Sequence, residues 1–77
     1  MKYNLVGVDG NAFCVMGYTA TALRREGLGN LVEQMYKEAT QGDYNNLLCV
    51  CMKYVDKANK VAGDTNDEVR MNIDVEV

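Results

Sequence analysis

Val69, Met71, Ile73, Val75 and Val77 alternate without a fault with Glu68, Arg70, Asn72, Asp74 and Glu76. That is the period-two pattern of a strand with one buried face. At the other end of the chain, residues 2–8 (KYNLVGV) also read as a strand, with Tyr3 and Leu5 on one side and Val6 and Val8 on the other. Asp9-Gly10-Asn11 then supplies turn residues, and either Asp9 or Asn11 can cap a helix that follows. Between the two ends the apolar spacing lengthens to the helical period.

The first predicted helix runs from Ala12 to about Glu26 and stops at Gly27. Phe13, Met16, Gly17, Ala20 and Leu23 fall on one face, while Val15, Tyr18 and Ala22 cluster on nearly the opposite one. A helix that is apolar on two sides is expected to be central or half of an interface. Gly17, in its middle, points to a close backbone approach. The second helix is expected to start at Asn30, with Glu33 completing a capping box. Its stripe is Leu28, Leu31, Val32, Met35, Tyr36 and Ala39, and Gly42 is the stop. Asp43 caps the third helix, Tyr44 to about Ala62, with a core face of Tyr44, Leu47, Leu48, Cys51, Val55, Ala58 and Ala62. Short connections make the three helices antiparallel neighbours.

The expected fold is therefore α+β: a compact three-helix unit whose N- and C-terminal strands form a small ribbon. Residues 1–62 hold the first strand and the helices, 63–67 (GDTND) a linker, and 68–77 the amphipathic strand, all in one domain. The tail needs a ladder partner and a cover for its apolar side. The N-terminal strand and the Val15, Tyr18, Ala22 face are nearest. A lone parallel pair within one chain is uncommon, so completion of the ribbon across a homodimer is expected.

Composition narrows the chemistry. With 77 residues the core is near the lower limit for independent stability. There is no histidine, which removes the commonest general base and metal ligand. The three cysteines, Cys14, Cys49 and Cys51, make a poor disulfide framework and suit a reducing, cytoplasmic setting. No apolar run reaches the roughly 20 residues of a membrane span, and the start lacks the features of a signal peptide. The net charge of −3 is uneven. Residues 1–62 are nearly neutral, whereas Asp64, Asp67, Glu68, Asp74 and Glu76 face only Arg70 in residues 63–77.

Asp9 and Asn11 are weighed as a catalytic or cation loop against a corner. Apolar residues follow where further oxygen ligands are needed, so the corner is preferred. Asp64, Asn66 and Glu68 open like a calcium loop, but Val69 stands where glycine is required. Cys49 and Cys51, two apart on a helix, point in opposite directions and cannot share a metal with Cys14. Arg24, Arg25, Lys53, Lys57 and Lys60 are the one basic feature, a solvated face or a weak contact for nucleic acid. No cofactor, metal or catalytic residue is assigned.

The pieces VGVDGNAF, VMGYTATALRREG and KEATQGDYNNLL together resemble a family of short proteins encoded by bacteria, their phages and other mobile elements. The shared pattern is the DGNAF corner (Asp9 to Phe13), the pair Met16-Gly17, Arg24 to Gly27, and EATxGDYxxLL over Glu38 to Leu48. It covers residue 3 to about residue 59. The resemblance implies provenance and one folded unit, and it brings no active site with it.

The function expected is that of a non-enzymatic protein–protein interaction module of phage or mobile-element type. Its expected contacts are Val15, Tyr18, Ala22, Val69, Met71, Ile73 and Val75. The alternatives are a nucleic-acid-binding accessory protein using the basic residues, and a small enzyme or cation site at Asp9 and Asn11.

Overall fold

A computed structural model describes residues 2–63. Local signals set its helix ends. Asn11, in extended backbone, accepts a hydrogen bond from the Phe13 amide and starts helix α1 (Ala12–Arg25). Gly27, at φ 76°, turns the chain out of it in the left-handed region. Asp43 accepts from the Asn46 amide at 3.0 Å and starts α3 (Tyr44–Val61). Between them α2 spans Val32–Ala39. It begins differently from the expectation: a 3-10 turn at Gly29–Leu31 precedes it, and no side chain caps it, so the capping box at Asn30 and Glu33 is not used. Gly42 ends this region through space rather than dihedral freedom. A Cβ there would stand 2.9 Å from the Asn46 side chain, whose amide donates to the Glu38 and Ala39 carbonyls.

No strand forms among the described residues, so the α+β fold with a terminal ribbon gives way to a small domain of three helices. The reason lies in how residues 2–8 satisfy their backbone. The Tyr3 amide donates to Asn59 Oδ1 at 2.8 Å, and the Tyr3 carbonyl accepts from Asn59 Nδ2 at 3.0 Å. Asn4 N–H donates to the Tyr18 hydroxyl, and Val6 N–H to the Asn4 side chain. Val8 N–H closes a turn on the Leu5 carbonyl, with Gly7 at φ 89°. Side chains and a turn take the bonds that a ladder would need. The tail strand at 68–77 and residues 64–67 of the linker lie outside the described residues.

The two faces of α1 are one. At about 100° per residue, Ala22, Val15, Thr19, Leu23, Met16 and Ala20 sweep a single arc of roughly 160°, and all six are buried. Thr19 sits inside that arc, fully enclosed, with its hydroxyl donating to the Val15 carbonyl at 2.9 Å. Being polar, it divides in the sequence what is continuous in space. Phe13 and Gly17 lie beyond the edge of the arc. Phe13 is 80% exposed, and a Cβ at Gly17 would meet nothing within 4 Å. Neither the core position of Phe13 nor the close approach at Gly17 is realised.

α3 packs on both α1 and α2. Leu47, Cys51, Val55 and Ala58 are buried as expected, joined by Tyr54 and Asn59. Tyr44, expected in the core, is exposed, and its hydroxyl donates to the Gly10 carbonyl. Leu48 and Ala62 are half-buried. The α2 stripe holds, with Val32, Met35 and Ala39 buried and Leu28, Leu31 and Tyr36 packed against the core.

Candidate functional site

The Asp9-Gly10-Asn11 segment is a bend that launches α1. Asp9 Oδ1 accepts from the Asn11 amide at 2.9 Å and Asn11 Oδ1 from the Phe13 amide at 2.8 Å. The Tyr44 hydroxyl ties Gly10 to the start of α3. One oxygen of each side chain is thus taken by a backbone amide two residues on, the geometry of a turn and a cap. Among the described residues no three His, Cys, Asp or Glu side chains stand close enough together to hold a metal.

Val15 and Ala22 are sealed inside the chain's own core and present no surface. Tyr18 is half-buried, its ring edge-on to Tyr3 with centroids 6.5 Å apart. What covers this side of α1 includes Tyr3, which is itself buried. The other expected contacts, Val69, Met71, Ile73 and Val75, lie outside the described residues.

The basic residues do not converge into one patch. Lys53 pairs with Glu38 at 3.0 Å and Lys60 with Asp56 at 3.2 Å, both at the surface. Hydrogen bonds from Gln34 and then Lys53 hold the Glu38 carboxyl below the usual carboxylate range. Arg24 and Arg25 are exposed at the end of α1. Beside them Glu26 takes the Tyr3 hydroxyl and the Lys2 ammonium. These bonds, Tyr3's first, hold the Glu26 carboxyl low and push the Tyr3 hydroxyl up. So Glu26 and Asn59 together fasten Tyr3 by its hydroxyl and its backbone.

That fastening creates a feature the sequence did not disclose. Residues 3–6 cross α3 and leave an open groove of about 680 Å³ beside it. Its apolar walls are Leu5 and Val6 on one side and Leu48, Met52 and Val55 on the other. Val6 is 86% exposed and Met52 61%. Cys49 opens into the same groove, with Lys53 and Asp56 at its rim. On α3 the groove lies between the buried arc and the stripe of Lys53, Lys57 and Lys60. Cys51, two residues from Cys49, is buried in the core, and burial pushes its thiol up. Cys14 is exposed on α1. The signal available in advance was Met52, an apolar residue that belonged to no expected stripe.

No helix among the described residues is long and apolar enough to cross a membrane. Comparisons with protein-family models, with curated proteins and with solved structures give no match.

Proposed function

We infer that the protein is a small non-enzymatic interaction module, of phage or mobile-element type and cytoplasmic, that seats a segment of a partner protein in the groove between residues 3–6 and α3. The observation that carries this is the exposure of Val6 and Met52 on facing walls of an apolar groove. Lys53 and Asp56 at its rim carry opposite charges, so the groove suits apolar side chains flanked by polar groups of either sign. The pairs of Lys53 with Glu38 and Lys60 with Asp56 are exposed. Surface pairs of this kind add little to stability, so Lys53 and Asp56 can each turn to an incoming group of opposite charge. Nucleic acid is a poorer fit, because stacking aromatics are absent from the groove's outer wall and the basic residues are scattered.

The test is capture from a host lysate by the wild type, by Val6→Asp and Met52→Asp, and by Lys37→Glu on the exposed side of α2. Both groove substitutions fall on exposed positions, so the fold is retained, which thermal melts verify. Proteins kept by wild type and Lys37→Glu but lost by both groove variants are the expected result. If all four recover the same set, the groove is not the docking surface.

A further inference from the structure

We propose that two copies of this chain exchange residues 2–6, each segment seating on the other copy's helices through an opened hinge at residues 7–10. The exchange goes beyond the docking reading, since it needs the seat of Tyr3 and not the groove.

The seat recognises the segment from the helix side. Among the described residues, Asn59 of α3 takes both backbone groups of Tyr3, at 2.8 and 3.0 Å. Tyr18 of α1 accepts from the Asn4 amide at 2.9 Å. Glu26, which closes α1, holds the Tyr3 hydroxyl and the Lys2 ammonium. These partners belong to the helices or a helix cap, so a second copy's Tyr3 meets the same bonds and the same enclosure. The seat is also particular. It takes a tyrosine by amide, carbonyl, ring and hydroxyl, and a residue inside a helix has its backbone groups already engaged. Of the five tyrosines in the chain, the other four stand inside helices, so within this sequence Tyr3 is the one that fits. Tyr3 is 5% exposed, and a segment that merely came loose would open part of a small core to water. Refilling the seat from a second copy restores that burial and every bond, with no ladder involved.

The hinge is held by dihedral freedom rather than by packing. Gly7 stands at φ 89°, and a Cβ there would meet nothing within 4 Å. Two bonds close the bend: the Val8 amide on the Leu5 carbonyl at 3.1 Å, and the Tyr44 hydroxyl on the Gly10 carbonyl. Opened out, residues 7–10 span up to about 13 Å, enough to carry the segment away from its own helices. In the single chain the tether keeps each segment at high effective concentration beside its own seat, so exchange grows with protein concentration. In the exchanged pair Leu5 and Val6 of one copy face Leu48, Met52 and Val55 of the other, and each groove takes a wall from each copy.

Lys2 and Glu26, 2.9 Å apart, supply the reporter. A carbodiimide joins such a pair through an amide bond, taking up the water lost as it becomes a urea. Equal amounts of unlabelled and heavy-isotope-labelled full-length chain are mixed over a concentration series, cross-linked, sized and digested for mass spectrometry. Lys2–Glu26 cross-links with one label from each chain are expected to grow with concentration and to approach half of such cross-links in the dimer fraction, the value for random pairing. Lys53–Glu38 cross-links, across a 3.0 Å pair between α3 and α2, should keep a single label throughout. Gly7→Val strains the closed bend and is relieved when it opens. The same exchanged fraction is then expected at roughly hundredfold lower concentration, a factor of about ten for each of the two hinges. Absence of mixed Lys2–Glu26 cross-links from the wild type at every concentration overturns the proposal, whether or not Gly7→Val folds. Dimers whose Lys2–Glu26 cross-links keep one label overturn it too, because the copies then meet elsewhere. Mixed labels at Lys53–Glu38 do the same, because a larger part of the chain has then changed places. A Gly7→Val chain that stays monomeric and loses the Lys2–Glu26 cross-link has released its segment rather than exchanged it, which also counts against the proposal. Lysate capture by Val6→Asp and Met52→Asp is read separately, so the docking surface and the exchange stand or fall independently.

Discussion

Thr19 in the middle of α1 and Asn59 near the end of α3 are both polar and both buried, at 0% and 4% exposure. A buried polar group must find a partner or cost free energy, and the two find theirs at different distances. Thr19 turns back on its own helix, to the carbonyl four residues earlier. Asn59 reaches 56 residues along the chain and takes both backbone groups of Tyr3. The first bond closes within α1 itself, although the hydroxyl also meets the Cys51 thiol on α3. The second exists only in the finished fold, and it fixes where residues 3–6 cross α3. A polar residue in a core can therefore be a passenger in its helix or the latch of a segment, and the groove depends on the latch.

The sharpest way to break that distinction is Asn59→Leu. Leucine keeps the branch at Cγ, though it is bulkier, and removes both bonds, leaving the Tyr3 amide without its partner in a buried place. A loss of about 2 kcal/mol is expected, read as a lower urea midpoint. The local signature matters more than the total. The Tyr3 amide should exchange much faster, while amides at the centre of α2 keep their protection relative to global unfolding. If all amides loosen together, Asn59 is part of the general core and no separate latch exists.

This contrast also marks what the sequence can and cannot disclose. Asn11, Gly27 and Asp43 act on residues within one turn of themselves, so the ends of α1 and the start of α3 were legible. The stripes of α2 and α3 were legible for the same reason. Residues 2–8 were not, because a strand is defined by a distant ladder, and here Asn59, Tyr18 and Gly7 supply alternatives that no local pattern reveals. The apparent second face of α1 arose from treating Thr19 as a boundary. The groove was hidden most deeply, since it is the space left when an extended segment crosses a helix, and only Met52, unassigned to any stripe, hinted at it.

Gly17 sharpens the account of α1 from the outside of its arc. A glycine bounded by packed neighbours cannot accept a methyl group, but one facing open space gains helix propensity from it. With no atom within 4 Å of the added Cβ, Gly17→Ala is expected to stabilise by about 0.5–1 kcal/mol. Chemical denaturation measures it. A loss instead would mean that α1 is approached on this side too, and that the single-arc description is wrong.

The smallest expected effect tests the passenger half of the comparison. Thr19→Val keeps the branched shape and replaces a hydroxyl by a methyl in a fully enclosed site. The Val15 carbonyl that loses the hydroxyl still has the helical amide of residue 19, so neither group is stranded. Valine and threonine have similar helix propensities, and the one other group the hydroxyl meets, the buried Cys51 thiol on α3, is only a weak hydrogen-bond partner. A change within about 0.5 kcal/mol of zero follows, because removing a locally satisfied bond without orphaning its acceptor is nearly neutral. Thr19→Ala serves as the control, and it should cost more than Thr19→Val through the cavity alone. Should Thr19→Val instead destabilise as much as Asn59→Leu, the hydroxyl is holding α3 through Cys51 as well as its own helix, and both buried polar groups are tertiary latches.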